Sequence, residues 1–159
     1  MHAPHARRSQ PPAQSTEQRA WAGLRALRLP LLLGVVVGAL QAVSPLPLWW
    51  LPAATVYALE LAVIAAVYIG FSVADGRGHV IAVECVVAAA FVVVAAVGVT
   101  GSPWWLVAGM VGHAVKDWVQ HRTHFVAHTR WWPPFCAAVD AVVAVALTIA
   151  IVAGFSFHS

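Results

Sequence analysis

The sequence carries little charge. Only 9% of its 159 residues are Asp, Glu, Lys or Arg, whereas 61% are hydrophobic, and the mean hydropathy is +0.80. A soluble domain of this length usually has about a quarter charged residues, because water must wet its surface. The composition therefore excludes a soluble globular protein and predicts a chain whose apolar surface faces lipid. The length allows one helical bundle and no second domain.

Cysteine is scarce as well, since Cys85 and Cys136 are the only two. They form neither a disulfide framework nor the paired C-x2-C pattern of a zinc site, and we interpret them as small buried apolar residues. No P-loop or G-x-S-x-G motif occurs. The pI near 9.4 comes from basic residues beside apolar segments, which is typical of membrane topology and not of a nucleic-acid partner.

Five segments are apolar and nearly all long enough to cross about 30 Å of hydrocarbon. The predicted spans are residues 29–43, 53–73, 79–99, 103–121 and 134–155. We therefore expect an all-α, polytopic membrane bundle of about five transmembrane helices, in a single domain over residues 16–155. Residues 1–15 are rich in Pro, Gln, Ser and Arg and are predicted to be a disordered cytoplasmic tail. Residues 156–159 form a second short tail.

The first helix is predicted to begin near Thr16, because Ser15 and Gln18 fit a capping box. Its first turns are amphipathic and suit a segment at the lipid head groups. Pro30 is predicted to kink or break this helix. Gly34 and Gly38 form a small-xxx-small pair that suits close helix packing or dimerisation.

Charge predicts the orientation. With five spans, no Lys or Arg occurs in 44–52, 100–103 or 156–159, the polar segments of one side. By the positive-inside rule, the N-terminus is then cytoplasmic and the C-terminus outside, in a multi-pass protein of the cell membrane. All nine basic residues fall on the cytoplasmic side: Arg7, Arg8, Arg19, Arg25, Arg28, Arg77, Lys116, Arg122 and Arg130.

Ionisable residues within the spans are informative, because they cost several kcal/mol in lipid and usually face the bundle interior with a partner. The candidates for catalytic groups are Glu60, Glu84, His113, Asp117 and Asp140, with Lys116 beside them. Most of them fall in the cytoplasmic half of the bundle. Glu60 falls in the outer half, where we expect it to form a helix–helix hydrogen bond.

The fourth span has a regular pattern of polar residues. If the helix continues, one stripe contains His113, Asp117, His121, His124 and His128. An imidazole and a carboxylate at positions i and i+4 can bind one divalent ion. We therefore predict a site for a divalent transition metal. Its predicted ligands are His113, Asp117, His121 and His124, and Asp140 or Glu84 could complete it as oxygen ligands.

Two structural alternatives stay open. Lys116 could pair with Glu84 or Asp140, and Asp117 with Arg122, which would give ion pairs without a metal. In addition, His124 and His128 could lie in an aqueous loop, because the Trp-Pro-Pro run ends the helix nearby.

The stretch G-H-A-V-K-D-W-V-Q-H-R, followed by W-W-P-P-F-C-A-A-V-D, resembles a family of small uncharacterised integral membrane proteins. Members carry an H-x3-D-x3-H helix and then a P-x-F-C-x3-D segment. The corresponding positions here are His113, Asp117 and His121 with Arg122, then Pro133, Phe135, Cys136 and Asp140. The resemblance covers a small part of the chain and implies shared residues and a shared fold, but no reaction.

The histidines also resemble, more distantly, those of membrane hydroxylases and desaturases, which hold iron at cytosolic helix ends. Those families need several H-x3-H and H-x2-H-H clusters, whereas residues 113–128 offer H-x2-H and H-x3-H once each. A two-iron centre would therefore need further ligands, which a homo-oligomer could supply.

The leading prediction is a polytopic membrane protein with a cytoplasm-facing His/Asp/Glu site that binds a metal. One alternative is a small membrane enzyme acting on a lipid or isoprenoid. Another is a proton or metal-ion transporter with Glu60, Glu84, His113 and Asp140 as a relay. The third is a non-catalytic membrane partner subunit. The expected partners are the lipid bilayer and further copies of the chain.

Overall fold

The computed structural model describes residues 16–157, and the side chains of residues 25–157. Within this range the chain forms five α-helices and no strand, which confirms the predicted all-α bundle. The helices are α1 (Thr16–Ala42), α2 (Ala53–Asp75), α3 (Gly78–Thr100), α4 (Trp104–Thr123) and α5 (Trp132–Val152). The predicted disordered tail, residues 1–15, lies outside the described residues, as do residues 158–159.

Four of the helices are long and apolar enough to cross a membrane by length and composition. These segments are Arg25–Ala42, Ala53–Asp75, Gly78–Thr100 and Trp132–Val152. The other helix, α4, has 20 residues but a mixed composition. Its polar residues His113 and Asp117 are fully buried, whereas Val115 and Val119 are 58% and 52% exposed. This inside-out pattern is the one that a helix surrounded by lipid requires.

Helix α1 is described from Thr16 onwards. The capping-box residue Ser15 lies outside the described residues, so the start of the helix stays a prediction. The helix continues through Pro30 to Ala42. The predicted break at Pro30 is therefore wrong. Proline removes one backbone hydrogen bond, but a helix packed against neighbours in a membrane tolerates that loss. Pro30 is buried.

Helix α5 lies beside both α1 and α4, while α2 packs mainly on α3 and also contacts α4. The contact between α1 and α5 depends on glycine. A Cβ atom on Gly38 would lie 2.9 Å from the carbonyl oxygen of Val139, which is closer than atoms normally pack. Gly34 meets Ala138 in the same way. The small-xxx-small pair thus serves packing within one chain.

We call the end of the bundle with the α2–α3 and α4–α5 connections the basic end. There the Asp75 carboxylate accepts a 2.6 Å hydrogen bond from the backbone N–H of Ala127. Arg77 pairs with Asp75 and also donates to the carbonyl of Phe125 at 2.6 Å. The hydrogen bonds to Asp75 raise the pKa of the Arg77 guanidinium. Together these contacts hold the two connections against each other.

The core has an apolar layer toward the opposite end, which includes Leu61, Leu106, Met110 and Leu147. A smaller apolar group of Tyr68, Val80 and Val126 lies at the basic end. Buried polar side chains lie among and between these groups: Glu84, His113, Asp117, Gln120 and Asp140.

Candidate metal centre

Three buried side chains converge from two helices. His113 and Asp117 are one turn apart on α4, and Asp140 comes from α5. The imidazole Nδ1 of His113 lies 2.8 Å from Oδ2 of Asp140 and 3.4 Å from Oδ2 of Asp117. One ligand atom from each residue lies within 4.8 Å of the other two. The structure therefore brings together three of the residues that the sequence analysis names as candidate metal ligands.

Two aromatic rings enclose the imidazole. The ring of Phe91, from α3, lies edge-on with its centroid 5.0 Å from that of His113. The ring of Tyr68, from α2, lies 6.0 Å away in a similar orientation. Sequence reasoning missed Tyr68. The available signal is a hydroxyl in the middle of an apolar span, between Val67 and Ile69.

An ion pair lies next to the three residues. Nζ of Lys116 is 2.8 Å from Oε2 of Glu84 and 3.1 Å from the centroid of the Tyr68 ring. Of the two predicted partners, Lys116 thus contacts Glu84. The predicted pair between Asp117 and Arg122 is wrong, because Asp117 is turned inward to His113 while Arg122 lies over the Trp118 ring at 4.9 Å.

Several buried polar atoms in this region have no hydrogen-bond partner among the described residues. They include both carboxylate oxygens of Asp117, Nε2 of His113, the hydroxyl of Tyr68 and Nε2 of Gln120. Each such atom costs about 1–3 kcal/mol when it stays unsatisfied. Buried polar atoms in folded proteins normally have partners, so a concentration of unpartnered ones needs an explanation.

The charges of the group of three and the neighbouring ion pair of Lys116 and Glu84 do not balance. Glu84, Asp117 and Asp140 provide three carboxylates, and Lys116 provides one ammonium. If all three carboxylates are ionised and His113 is neutral, two negative charges remain uncompensated in a buried site. Burial of that charge is costly, so a divalent cation or protons must compensate it.

The predicted polar stripe does not extend beyond His121, so that prediction is wrong for His124 and His128. Helix α4 ends at Thr123, and His124 takes a left-handed conformation with φ 52° as its C-cap. His128 has φ 62° in the following loop. A periodicity argument assumes that the helix continues, and this left-handed residue ends it.

His121 and His124 are not part of the group of three. Their rings lie near each other, with centroids 6.2 Å apart, and the ring of His121 is also 6.1 Å from that of Trp118. That His121 and His124 bind a metal stays a prediction. The group of three forms without them.

Glu60 forms a hydrogen bond, but its partner lies in the connection after α1 and not on a helix, so the predicted helix–helix hydrogen bond is not observed among the described residues. Its Oε1 accepts a 2.6 Å hydrogen bond from the hydroxyl of Ser44, which follows α1. The hydroxyl of Tyr57 donates to the carbonyl of Ala42 at 2.7 Å. Glu60 and Glu84 are both outside the group of three.

The basic end is closed by the connection between α4 and α5. Val126 is 1% exposed and packs against Tyr68 and Val80. Backbone contacts to Asp75 and Arg77 hold this connection in place. His113 and its partners are therefore covered on the side of the bundle that carries the arginines.

No family model matches the chain, and neither a curated protein nor a solved structure does. The function has to be inferred from the residues and their geometry.

Proposed function

We propose that the bundle binds a divalent transition metal ion between His113, Asp117 and Asp140, and that this centre is the functional site of the protein. The observation that carries the proposal is the convergence of one imidazole and two carboxylates, all fully or almost fully buried. On the predicted topology, this centre lies in the cytoplasmic half of the membrane.

The separations of the ligand atoms support one shared ion. Two ligands bound at about 2.0–2.2 Å lie about 2.8–3.6 Å apart when their angle at the metal is about 90–110°. The Nδ1 atom of His113 is 2.8 Å from the Asp140 oxygen and 3.4 Å from the Asp117 oxygen. Both distances suit ligands that share one metal.

The type of ligand narrows the choice of ion. Imidazole with carboxylates suits Fe²⁺, Mn²⁺ or Zn²⁺, whereas Ca²⁺ and Mg²⁺ prefer all-oxygen sites. Three protein ligands leave further coordination positions open, which a reactive centre requires. One chain supplies all three, so the proposal needs no second copy.

Charge supports the same proposal. A divalent ion would neutralise the two negative charges that Lys116 leaves uncompensated, and it would give the Asp117 oxygens a partner. Protons on His113 and one carboxylate are the alternative, since the 2.8 Å contact of His113 with Asp140 is also a normal hydrogen bond.

The surroundings favour a membrane enzyme acting on a lipid over a transporter. A relay across the bilayer would need polar groups that connect Glu60 with His113. The described contacts of Glu60, to Ser44, do not reach those of His113, to Asp117 and Asp140. Leu61, Leu106 and Met110 form an apolar cluster on the same two helices. An enzyme needs a reactive centre in one leaflet only, and the group of three is the candidate for it.

Metal content of detergent-purified protein tests the proposal. Cells would be grown with added iron, manganese and zinc, and metal per chain measured by mass spectrometry for wild type, Asp117→Asn, Asp140→Asn and His113→Ala. The matched control is His121→Ala, which removes a histidine from the same helix outside the group. We expect about one ion per chain in wild type and control, and much less than one in the others, because loss of a ligand weakens metal binding by about 10-fold or more.

Wild-type protein without metal, or equal content in all five proteins, would overturn the proposal. Loss of metal only in His121→Ala would move the site to the end of α4.

A further inference from the structure

A cleft of about 430 Å³ lies between α1, α2 and α5. It exists because α1 packs on α5 while α2 packs on α3, so that the first two helices diverge. Its walls are apolar and include Val37, Ile64 and Phe135. Leu59 and Val63 line its rim and are 54% and 65% exposed. The cleft therefore opens sideways, toward the space that lipid chains occupy.

Three buried polar atoms without a described partner belong to residues that line this otherwise apolar cleft. Oε1 of Gln41 and Oε2 of Glu60 are buried and have no partner among the described residues, although both residues line the cleft. Nε1 of Trp132 has no such partner either, and it belongs to the opposite end of the lining, with Cys136. Two hydrogen-bond acceptors in hydrocarbon surroundings call for a donor from a ligand.

We propose that the cleft binds a single-chain lipid whose head group donates a hydrogen bond to Glu60 and Gln41. Its chain would run along α2 from Glu60 toward Val67, a distance of about 10.5 Å at the helical rise, and reach Cys136. A volume of 430 Å³ falls in the range of small-molecule sites, about 300–1,000 Å³.

The volume also argues against a protein helix as the occupant. A helix about 10 Å wide would need about 800 Å³ over a length of about 10.5 Å, roughly twice the space present. Water between Gln41 and Glu60 would leave the apolar length of the cleft toward Cys136 unfilled, because a buried water needs two to four polar partners.

The cleft comes close to the proposed metal centre without being part of it. Cys136 lines the cleft, is fully buried, and precedes Asp140 by one helical turn on α5. Val126 covers the metal centre at the basic end. The cleft between α1, α2 and α5 therefore offers a lipid an approach to that centre from the bilayer. The lipid site is independent of the metal, and its test uses no metal measurement.

The test uses a long-chain alcohol that carries a photoactivatable diazirine, together with its methyl ether, which has no hydroxyl donor. Protein reconstituted in phosphatidylcholine vesicles would be irradiated with each probe, and the labelled residues identified by mass spectrometry. We expect labels on cleft residues of α1, α2 and α5. The alcohol should label about five-fold more than the ether, the factor that one hydrogen bond provides.

Variants separate the head-group contact from the cleft. Glu60→Leu and Gln41→Leu should reduce labelling by the alcohol to the level of the ether. Val63→Trp, at the rim, should reduce labelling by both probes. Its matched control is Val93→Trp on α3, where the side chain is 62% exposed and outside the cleft, so labelling should stay unchanged.

Three results would overturn the proposal. The first is equal labelling of cleft residues and of lipid-facing residues on α3. The second is equal labelling by alcohol and ether in wild-type protein. The third is cross-linking of the cleft to peptides of a second copy, which would assign it to an oligomer contact.

Discussion

The imidazole of His113 contacts the carboxylate of Asp140 at 2.8 Å, which joins α4 to α5 across 27 residues of sequence. Their side chains are 0% and 1% exposed. In a bundle with few other polar contacts between helices, this pair both holds two helices together and provides two ligands of the proposed centre. Its structural and functional contributions can be separated by experiment.

A double-mutant cycle measures the structural contribution. His113→Leu and Asp140→Leu should each destabilise the metal-free protein by about 1–3 kcal/mol, because each leaves the other group buried without a partner. The double variant should be more stable than the sum predicts, with a coupling of about 0.5–2 kcal/mol. Unfolding in mixed micelles after chelation gives the values, and strictly additive effects would show that the contact contributes nothing.

The pair of Lys116 and Glu84 gives a second prediction. Lys116→Met should destabilise the protein by about 3–5 kcal/mol, because it leaves the Glu84 carboxylate, with a 3% exposed side chain, unpaired. Adding Glu84→Met should restore most of that stability, since the double variant buries no charge there. Both are measured by unfolding in mixed micelles.

The same variants show whether Glu84 is a ligand. The double variant should retain the metal, because neither residue belongs to the group of three. Loss of metal from the Glu84→Met variant would instead assign Glu84 as an oxygen ligand, as the sequence analysis allowed.

The architecture could be predicted because hydropathy reports directly on helices that face lipid. Asp140 could be nominated for the site because a carboxylate in an apolar span needs a partner. Its pairing with His113 could not, since the sequence does not say which faces of two helices meet. The contact of Tyr68 with His113 could not be predicted for the same reason. The predicted helix extended too far, through His124, because helical spacing alone does not reveal a left-handed C-cap.

Glycine substitutions test the contact of α1 with α5. Gly38→Ala should destabilise the bundle by about 1–3 kcal/mol, because the new Cβ would lie 2.9 Å from both the Val139 oxygen and the Val142 Cβ. The control is Gly70→Ala in α2, where nothing lies within 4 Å of the added Cβ. There alanine should be neutral or stabilising through its higher helix propensity. Equal effects at the two sites would indicate that propensity, not packing, governs them.

The orientation of the bundle gives the last prediction. Basic side chains resolved in the structure cluster at one end, where Arg77 contacts the connection that carries Arg130, and the positive-inside rule places that end in the cytoplasm. A reporter active only in the cytoplasm should therefore work when fused before Met1 and fail after Ser159. A reporter active only outside should show the reverse. The same result at both termini would mean an even number of crossings. Helix α4 would then be the first to question, since it alone among the five described helices lacks the apolar composition of a span. The proposed centre would in that case lie at the membrane surface and not within it.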